Sequence, residues 1–173
     1  RALDILGQVE AVFAEDTRPS RKLLNHHGIT TRLKSLYAQN EGARAQEVIA
    51  LLEAGKSLAY ISDAGTPALS DPGSILVRNV VEAGHSVRPI AGPSALAAGL
   101  SVCGFSASSS NTLFLGFLPL KGTKRREVMA QISAHAGIVV VYEGPHRLAK
   151  TLAALRAENG DKRPLCICRE LSK

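Results

Sequence analysis

Short apolar runs alternating with stretches of helical spacing constrain this chain more than any other feature. Val9–Ala14, Leu58–Ile61, Ser86–Ile90, Ile138–Tyr142 and Leu165–Cys168 have the length of strands. Ala43–Ala54, Ser74–Ala83, Ser94–Val102, Lys124–Ala134 and Arg147–Glu158 place apolar residues at helical intervals. The alternation predicts βαβ units and an α/β fold built on a mostly parallel sheet. Gly55, Gly84 and Gly104 each fall just past a helical stretch, where a left-handed residue closes the last turn with least strain. With 173 residues, 45% of them hydrophobic, the chain has enough apolar material for one or two compact units.

The polar patch Ser106–Asn111 separates these elements from the run Leu113–Leu118. It predicts an N-terminal α/β domain over 1–105, a linker over 106–112 and a partial second α/β domain over 113–173. Arg1–Leu6 reads as the second half of an amphipathic helix without an N-cap, and the sequence stops soon after its last expected strand. A chain truncated at both ends is the expectation.

Lys and Arg number 21 against 15 for Asp and Glu, a formal net charge of +6 that favours polyanions without separating RNA from phosphate-bearing small molecules. Aromatics make up only 4% and there is no Trp, which disfavours a base-stacking platform and leaves phosphate and ribose as the expected RNA contacts. Cys103, Cys166 and Cys168 read as reduced thiols of an intracellular protein. Cys166 and Cys168 share a face, yet a zinc site needs further ligands, so no metal is expected. No apolar run approaches a membrane span, and Asp4 and Glu10 follow the basic first residue where a signal peptide would have its apolar core, so the cytoplasm is the expected location. A P-loop nucleotidase is disfavoured because no Gly-rich loop ends in Gly-Lys-Ser or Gly-Lys-Thr.

The densest chemical signal is Ser62-Asp63-Ala64-Gly65-Thr66-Pro67 followed by Ser70-Asp71-Pro72-Gly73, after the strand Leu58–Ile61. In a parallel sheet that end is where ligands bind, and Gly there lets backbone approach a ligand closely. Asp71 with Pro72 and Gly73 can also cap the next helix, but two turn motifs are more than a connection needs. Gly92-Pro93-Ser94-Ala95 repeats the arrangement after Ser86–Ile90, with Ser94 as the expected N-cap, so two adjacent strand ends would line one crevice.

Glu15-Asp16-Thr17-Arg18 stands at the end of Val9–Ala14. Its carboxylates could accept protons or hold hydroxyls, and Arg18 and Arg21 could meet phosphate, while a plain helix cap by Asp16 or Thr17 is an equal reading. His26-His27 reads as the surface end of that helix. Further along, Gly116-Phe117-Leu118-Pro119-Leu120-Lys121 leads into Lys124-Arg125-Arg126, the best phosphate contact in the chain, although a basic run is often only a solvated helix face. Tyr142-Glu143-Gly144-Pro145-His146-Arg147 ends one apolar strand and Arg169-Glu170 another.

In order, Asp16-Thr17-Arg18, the 62–73 loop, Gly92-Pro93-Ser94, Gly116-Phe117-Leu118-Pro119, Tyr142–Arg147 and Arg169-Glu170-Leu171 resemble the bacterial small-subunit ribosomal RNA methyltransferase I family of the tetrapyrrole methylase superfamily. The resemblance runs over essentially the whole chain. It implies a two-domain fold with S-adenosylmethionine in the interdomain cleft, a homodimer, and 2′-O-methylation of a cytidine in 16S ribosomal RNA or the 30S particle, with no DNA or membrane partner. By the same resemblance the cofactor would meet Asp63, Ala64, Gly65, Thr66, Leu69, Ser94, Ala95, Tyr142 and Glu143. RNA would meet Arg18, Arg21, Lys121, Lys124, Arg125, Arg126 and Arg147. Asp16, Glu143 and His146 are the candidate bases for a poorly acidic ribose hydroxyl. By the resemblance, the family's opening strand with its Gly-Asn loop and its last strands are expected to fall outside this sequence. A small-molecule methylase of the same fold predicts an apolar cavity instead of the Lys121–Arg126 face, and a non-catalytic RNA-binding or dimerisation module predicts no cofactor binding.

Overall fold

A computed structural model describes residues 1–105, 111–159 and 163–171. They form two compact units, Arg1–Ser94 and Ala95–Lys173. The division falls earlier than the linker expected at 106–112, of which residues 106–110 lie outside the described residues.

In the first unit the order is α1 (Ala2–Gln8), β1 (Ala11–Ala14), α2 (Thr17–His26), β2 (Arg32–Ser35), α3 (Glu41–Glu53), β3 (Leu58–Ile61) and α4 (Ser74–Glu82). The three strands form one parallel sheet in the order β2-β1-β3, with Ala14 level with Ser35 on one side and Ile61 on the other. All four residues of β1 are buried, as a central strand covered on both faces must be. Their alternation sends Ala11 and Phe13 into a core with Leu36, Ala45, Val48, Leu76 and Val80, and Val12 into one with Leu6, Leu24 and Ile29. So α3 and α4 cover one face and α1 and α2 the other.

The second unit holds α5 (Ala95–Val102), β4 (Thr112–Phe117), α6 (Thr123–Ala134), β5 (Ile138–Tyr142) and α7 (Leu148–Asn159). Here β4 and β5 pair in parallel, with a register shift between Phe114 and Phe117 and a left-handed Gly116. Leu118, Met129 and Ile132 are its buried centre, packed by Leu115, Val139, Val141, Ala154 and Leu155. The expected α/β class with parallel pairing is therefore found. Gly55, Gly84 and Gly104 have φ of +74°, +83° and +70°, the left-handed caps expected of them.

Two expected strands are absent. Ser86–Ile90 is irregular because Pro89 offers no ladder donor and no described strand lies beside it, which leaves Val87 exposed. Leu165–Cys168 alternates correctly but follows Pro164 and stays unpaired, with Leu165 and Ile167 exposed. Two strands were not expected. β2 (Arg-Leu-Lys-Ser) carries one apolar residue and is held at the sheet edge by its ladder to β1, while β4 begins directly after the polar patch.

Candidate functional site

The parallel register brings the C-terminal ends of β1 and β3 side by side, and the loops that leave them are bonded together. Glu15 donates its amide to the Ile61 carbonyl at 3.4 Å, and Asp16 donates its amide to Asp63 Oδ1 at 3.1 Å. Asp16 begins α2 as its N-cap, accepting the Arg18 amide at 2.8 Å and the Arg18 guanidinium at 2.6 Å. These bonds hold the Asp16 carboxyl below the usual carboxylate range, so it is a cap and ion-pair partner with little proton affinity.

The 62–73 loop is a built object. Gly65 and Gly73 are left-handed, and so are Ala68 and Ser70, at φ of +65° and +67°, where a side chain is strained. The Ala68 amide bonds the Pro72 carbonyl at 3.1 Å, the Leu69 amide bonds the Thr66 carbonyl at 3.2 Å, and the Tyr60 hydroxyl donates to the Pro72 carbonyl at 3.0 Å. Thr66 Oγ1 donates to the Pro93 carbonyl at 3.2 Å, so the Gly92-Pro93-Ser94 segment does lie against this loop, although no strand precedes it. Asp63, Ala64, Gly65 and Thr66 are exposed, Leu69 and Ser94 half-buried. A Cβ built on Gly65 meets nothing within 4 Å, so bare backbone faces open space there.

The loop ends on a residue that pattern reading missed. Glu41, in the first turn of α3 and only 3% exposed, accepts the Gly73 amide at 3.0 Å and the Leu76 amide at 2.8 Å. It supplies the cap expected of Asp71. Its distance in sequence from α4 left no local signal. Asp71 is half-buried instead, and burial followed by the neighbouring Asp63 charge raises its carboxyl. Glu15 is raised by the same two causes, burial first, with Asp71 adding a third. Burial, then the Glu15 charge, pushes the Tyr60 phenol up.

In the second unit, Glu143 at the tip of β5 is not a free base. Its side chain is 6% exposed, Oε1 accepts the Gly144 amide at 2.8 Å and the Arg147 Nε at 3.1 Å, and Oε2 accepts the Thr151 hydroxyl at 2.6 Å. Arg147 and Arg125, expected on an RNA face, turn inward instead. Arg147 donates to the Leu118 carbonyl at 2.7 Å and Arg125 to the Pro119 carbonyl at 2.9 Å. Lys121, Lys124 and Arg126 are exposed at the start of α6, as is His146 beyond β5. A cavity of about 310 Å³ beside them is lined by Gly122, Arg125, Arg126, Met129, Ala154 and Glu158. In the first unit a groove of about 410 Å³ is lined by Thr17, Arg18, Arg21 and Leu33. The Tyr142 ring stands edge-on to Phe114 at 4.9 Å and to Phe117 at 5.5 Å. Ala95 opens α5 and is exposed. Cys166 and Cys168 are unbridged, with Sγ atoms 3.7 Å apart, and the described residues hold no group of three or more metal-ligating side chains.

A family model described as Tetrapyrrole (Corrin/Porphyrin) Methylases matches residues 1–173. The chain belongs to the tetrapyrrole methylases. Among curated relatives, a ribosomal RNA small subunit methyltransferase I from Xylella fastidiosa is 45% identical over 173 residues, 100% of this chain and 63% of the relative. Proteins of the same name from Pseudomonas aeruginosa and Escherichia coli O157:H7 are 42% and 41% identical, again over 100% of this chain, and over 61% and 60% of their own lengths. The chain thus spans about three fifths of the length of these relatives. No described helix is long and apolar enough to cross a membrane.

Proposed function

We propose that the chain serves S-adenosylmethionine-dependent 2′-O-methylation of a cytidine in small-subunit ribosomal RNA, acting in the cytoplasm as a homodimer on the 30S particle. The reading rests on one observation above others: the match along all 173 residues to methyltransferases named for small-subunit ribosomal RNA.

The residues present suit the cofactor. Asp63, Ala64, Gly65, Thr66 and Leu69 with Ser94 would hold it on the first unit, where Gly65 leaves backbone open to close approach. Three carboxylates crowd that loop, and burial with mutual repulsion raises two of them, Glu15 and Asp71. A ligand carrying sulfonium and ammonium charge relieves that repulsion. Bound there, the cofactor supplies an already activated methyl group, so what remains for the protein is alignment, exclusion of water and removal of one proton. With Asp16 and Glu143 committed to Arg18 and Arg147, His146 is the residue left to take the ribose proton. Lys121, Lys124 and Arg126 would meet RNA phosphates, with Arg18 and Arg21 as a second cationic group.

The test is incubation of the chain with labelled S-adenosylmethionine and unmodified small subunits, followed by mapping of the label. Label on a cytidine ribose is expected; label on a base, or none, overturns the reading. Because the family model is described by corrin and porphyrin methylases, the same incubation with a tetrapyrrole ring tests the small-molecule alternative. Absence of cofactor binding would leave a non-catalytic module.

A further inference from the structure

The second unit contains a part-buried polar assembly that neither phosphate contact nor proton transfer explains. Glu143, Thr151, Arg125 and Arg147 form one continuous network inside the unit. Thr151 is 3% exposed and sits at its centre, donating to Glu143 Oε2 at 2.6 Å and accepting from Arg125 at 3.4 Å. A threonine hydroxyl has one proton to give and lone pairs to accept with, so this side chain uses both functions at once. Both guanidiniums end on successive carbonyls of one turn, Leu118 and Pro119. That turn follows β4, while Glu143 follows β5, and the two strand tips are already level at Phe117 and Tyr142. Among the described residues no buried side-chain nitrogen or oxygen lacks a partner.

We propose that Thr151 and Glu143 are positioning residues, which through Arg125 and Arg147 lock the tip of β5, and with it Tyr142, against the Leu118–Pro119 turn. The role of Tyr142 as a cofactor contact rests on the methylase reading above; the lock itself does not. Thr151 touches no candidate substrate and acts only through Glu143 and Arg125.

The test is fluorine NMR on the chain labelled throughout with 3-fluorotyrosine, which gives three resonances for its three tyrosines, the one from Tyr142 being assigned with Y142F. Thr151→Val keeps the side-chain shape and removes both hydrogen bonds; it is expected to shift or broaden the Tyr142 resonance while Tyr37 and Tyr60 stay in place. Thr151→Ser retains the hydroxyl and is expected to restore the wild-type spectrum. In parallel, S-adenosylmethionine affinity should fall about tenfold in T151V, the scale of one missing hydrogen bond to a charged group, and return to within about threefold in T151S. An unchanged Tyr142 resonance in T151V, or failure of T151S to restore it, overturns the proposal. If the wild-type chain takes no S-adenosylmethionine, the methylase reading falls, and the fluorine spectra still decide the lock. Should T151V not fold, Arg125→Gln, which cuts the bond to Pro119 and leaves the Glu143–Arg147 pair, is read the same way.

Discussion

Replacing Glu41 by Ala should unfasten the end of the 62–73 loop and unfold the first unit far more readily. Both donors, the Gly73 and Leu76 amides, converge on the single oxygen Oε1 of a side chain that is 3% exposed. A hydrogen bond to a charged group contributes about 1.5–3 kcal/mol, and a buried donor left without a partner costs about 1–3 kcal/mol. Truncation to Ala removes two such bonds at a helix N-terminus where nothing else described caps α4, so a loss of about 3–5 kcal/mol is expected. Glu41→Gln is the discriminating control. Its amide oxygen can take the place of Oε1 for both donors, so only the charge is lost, a matter of about 1 kcal/mol. Urea denaturation followed by circular dichroism measures the stabilities, and hydrogen exchange at Gly73 and Leu76 measures the local effect. An E41A protein within about 1 kcal/mol of wild type, or unchanged protection of those two amides, would refute the assignment of Glu41 as the cap.

Three other outcomes follow from the same geometry. Asp71 has a folded-state proton affinity raised above its unfolded value, so its ionised form costs stability at neutral pH, and that cost disappears as pH falls through the raised value; D71N should therefore melt higher than wild type at pH 7, with the gain fading on acidification. The triple variant K121A/K124A/R126A should lower the slope of log affinity for RNA against log salt by about 2, at roughly 0.7 for each phosphate no longer neutralised, whereas R125A and R147A should lower the melting temperature and leave that slope nearly unchanged. Gly73 sits at φ +128° with Tyr60 Cε1 only 2.7 Å from any added Cβ, so G73A should cost about 2 kcal/mol or more in denaturation and displace the Tyr60 ring.

The legible part of this molecule was the part written in contiguous apolar runs. β1, β3 and β5 are uninterrupted apolar tetrapeptides or pentapeptides, and the helices after β3 and β5 repeat at helical spacing, so period alone located them; α2, after β1, showed only as a possible cap at Asp16 or Thr17. Pairing was not legible. Arg32–Ser35 becomes a strand because β1 offers it a ladder and because the Lys34 stem runs over Phe13 to Glu47, while the better-patterned Ser86–Ile90 finds no strand beside it. The loops at 62–73 and 92–94 were visible through their Gly and Pro content; they meet through Thr66 and Pro93, without the second strand end that was expected to bring them together. What the 62–73 loop hangs from was hidden, since Glu41 lies on another helix with no local pattern to mark it. Thr151 did leave a trace, standing four residues before Leu155 on the packed side of its helix. The basic residues divided in a way charge counting could not anticipate: Arg125 and Arg147 reach backbone carbonyls and went to structure, while Lys121, Lys124 and Arg126 stayed in solvent.

The two strained non-glycine residues of the 62–73 loop, Ala68 and Ser70, set a limit on how this scaffold can be hardened. Each stores on the order of 1–3 kcal/mol that a glycine would release, so A68G and S70G are obvious candidates for anyone seeking a more heat-resistant protein. The same exchange would free the backbone on either side of Leu69 to wander, and a ligand would then have to reassemble the loop before it could bind. Robustness and readiness are in tension at those two positions.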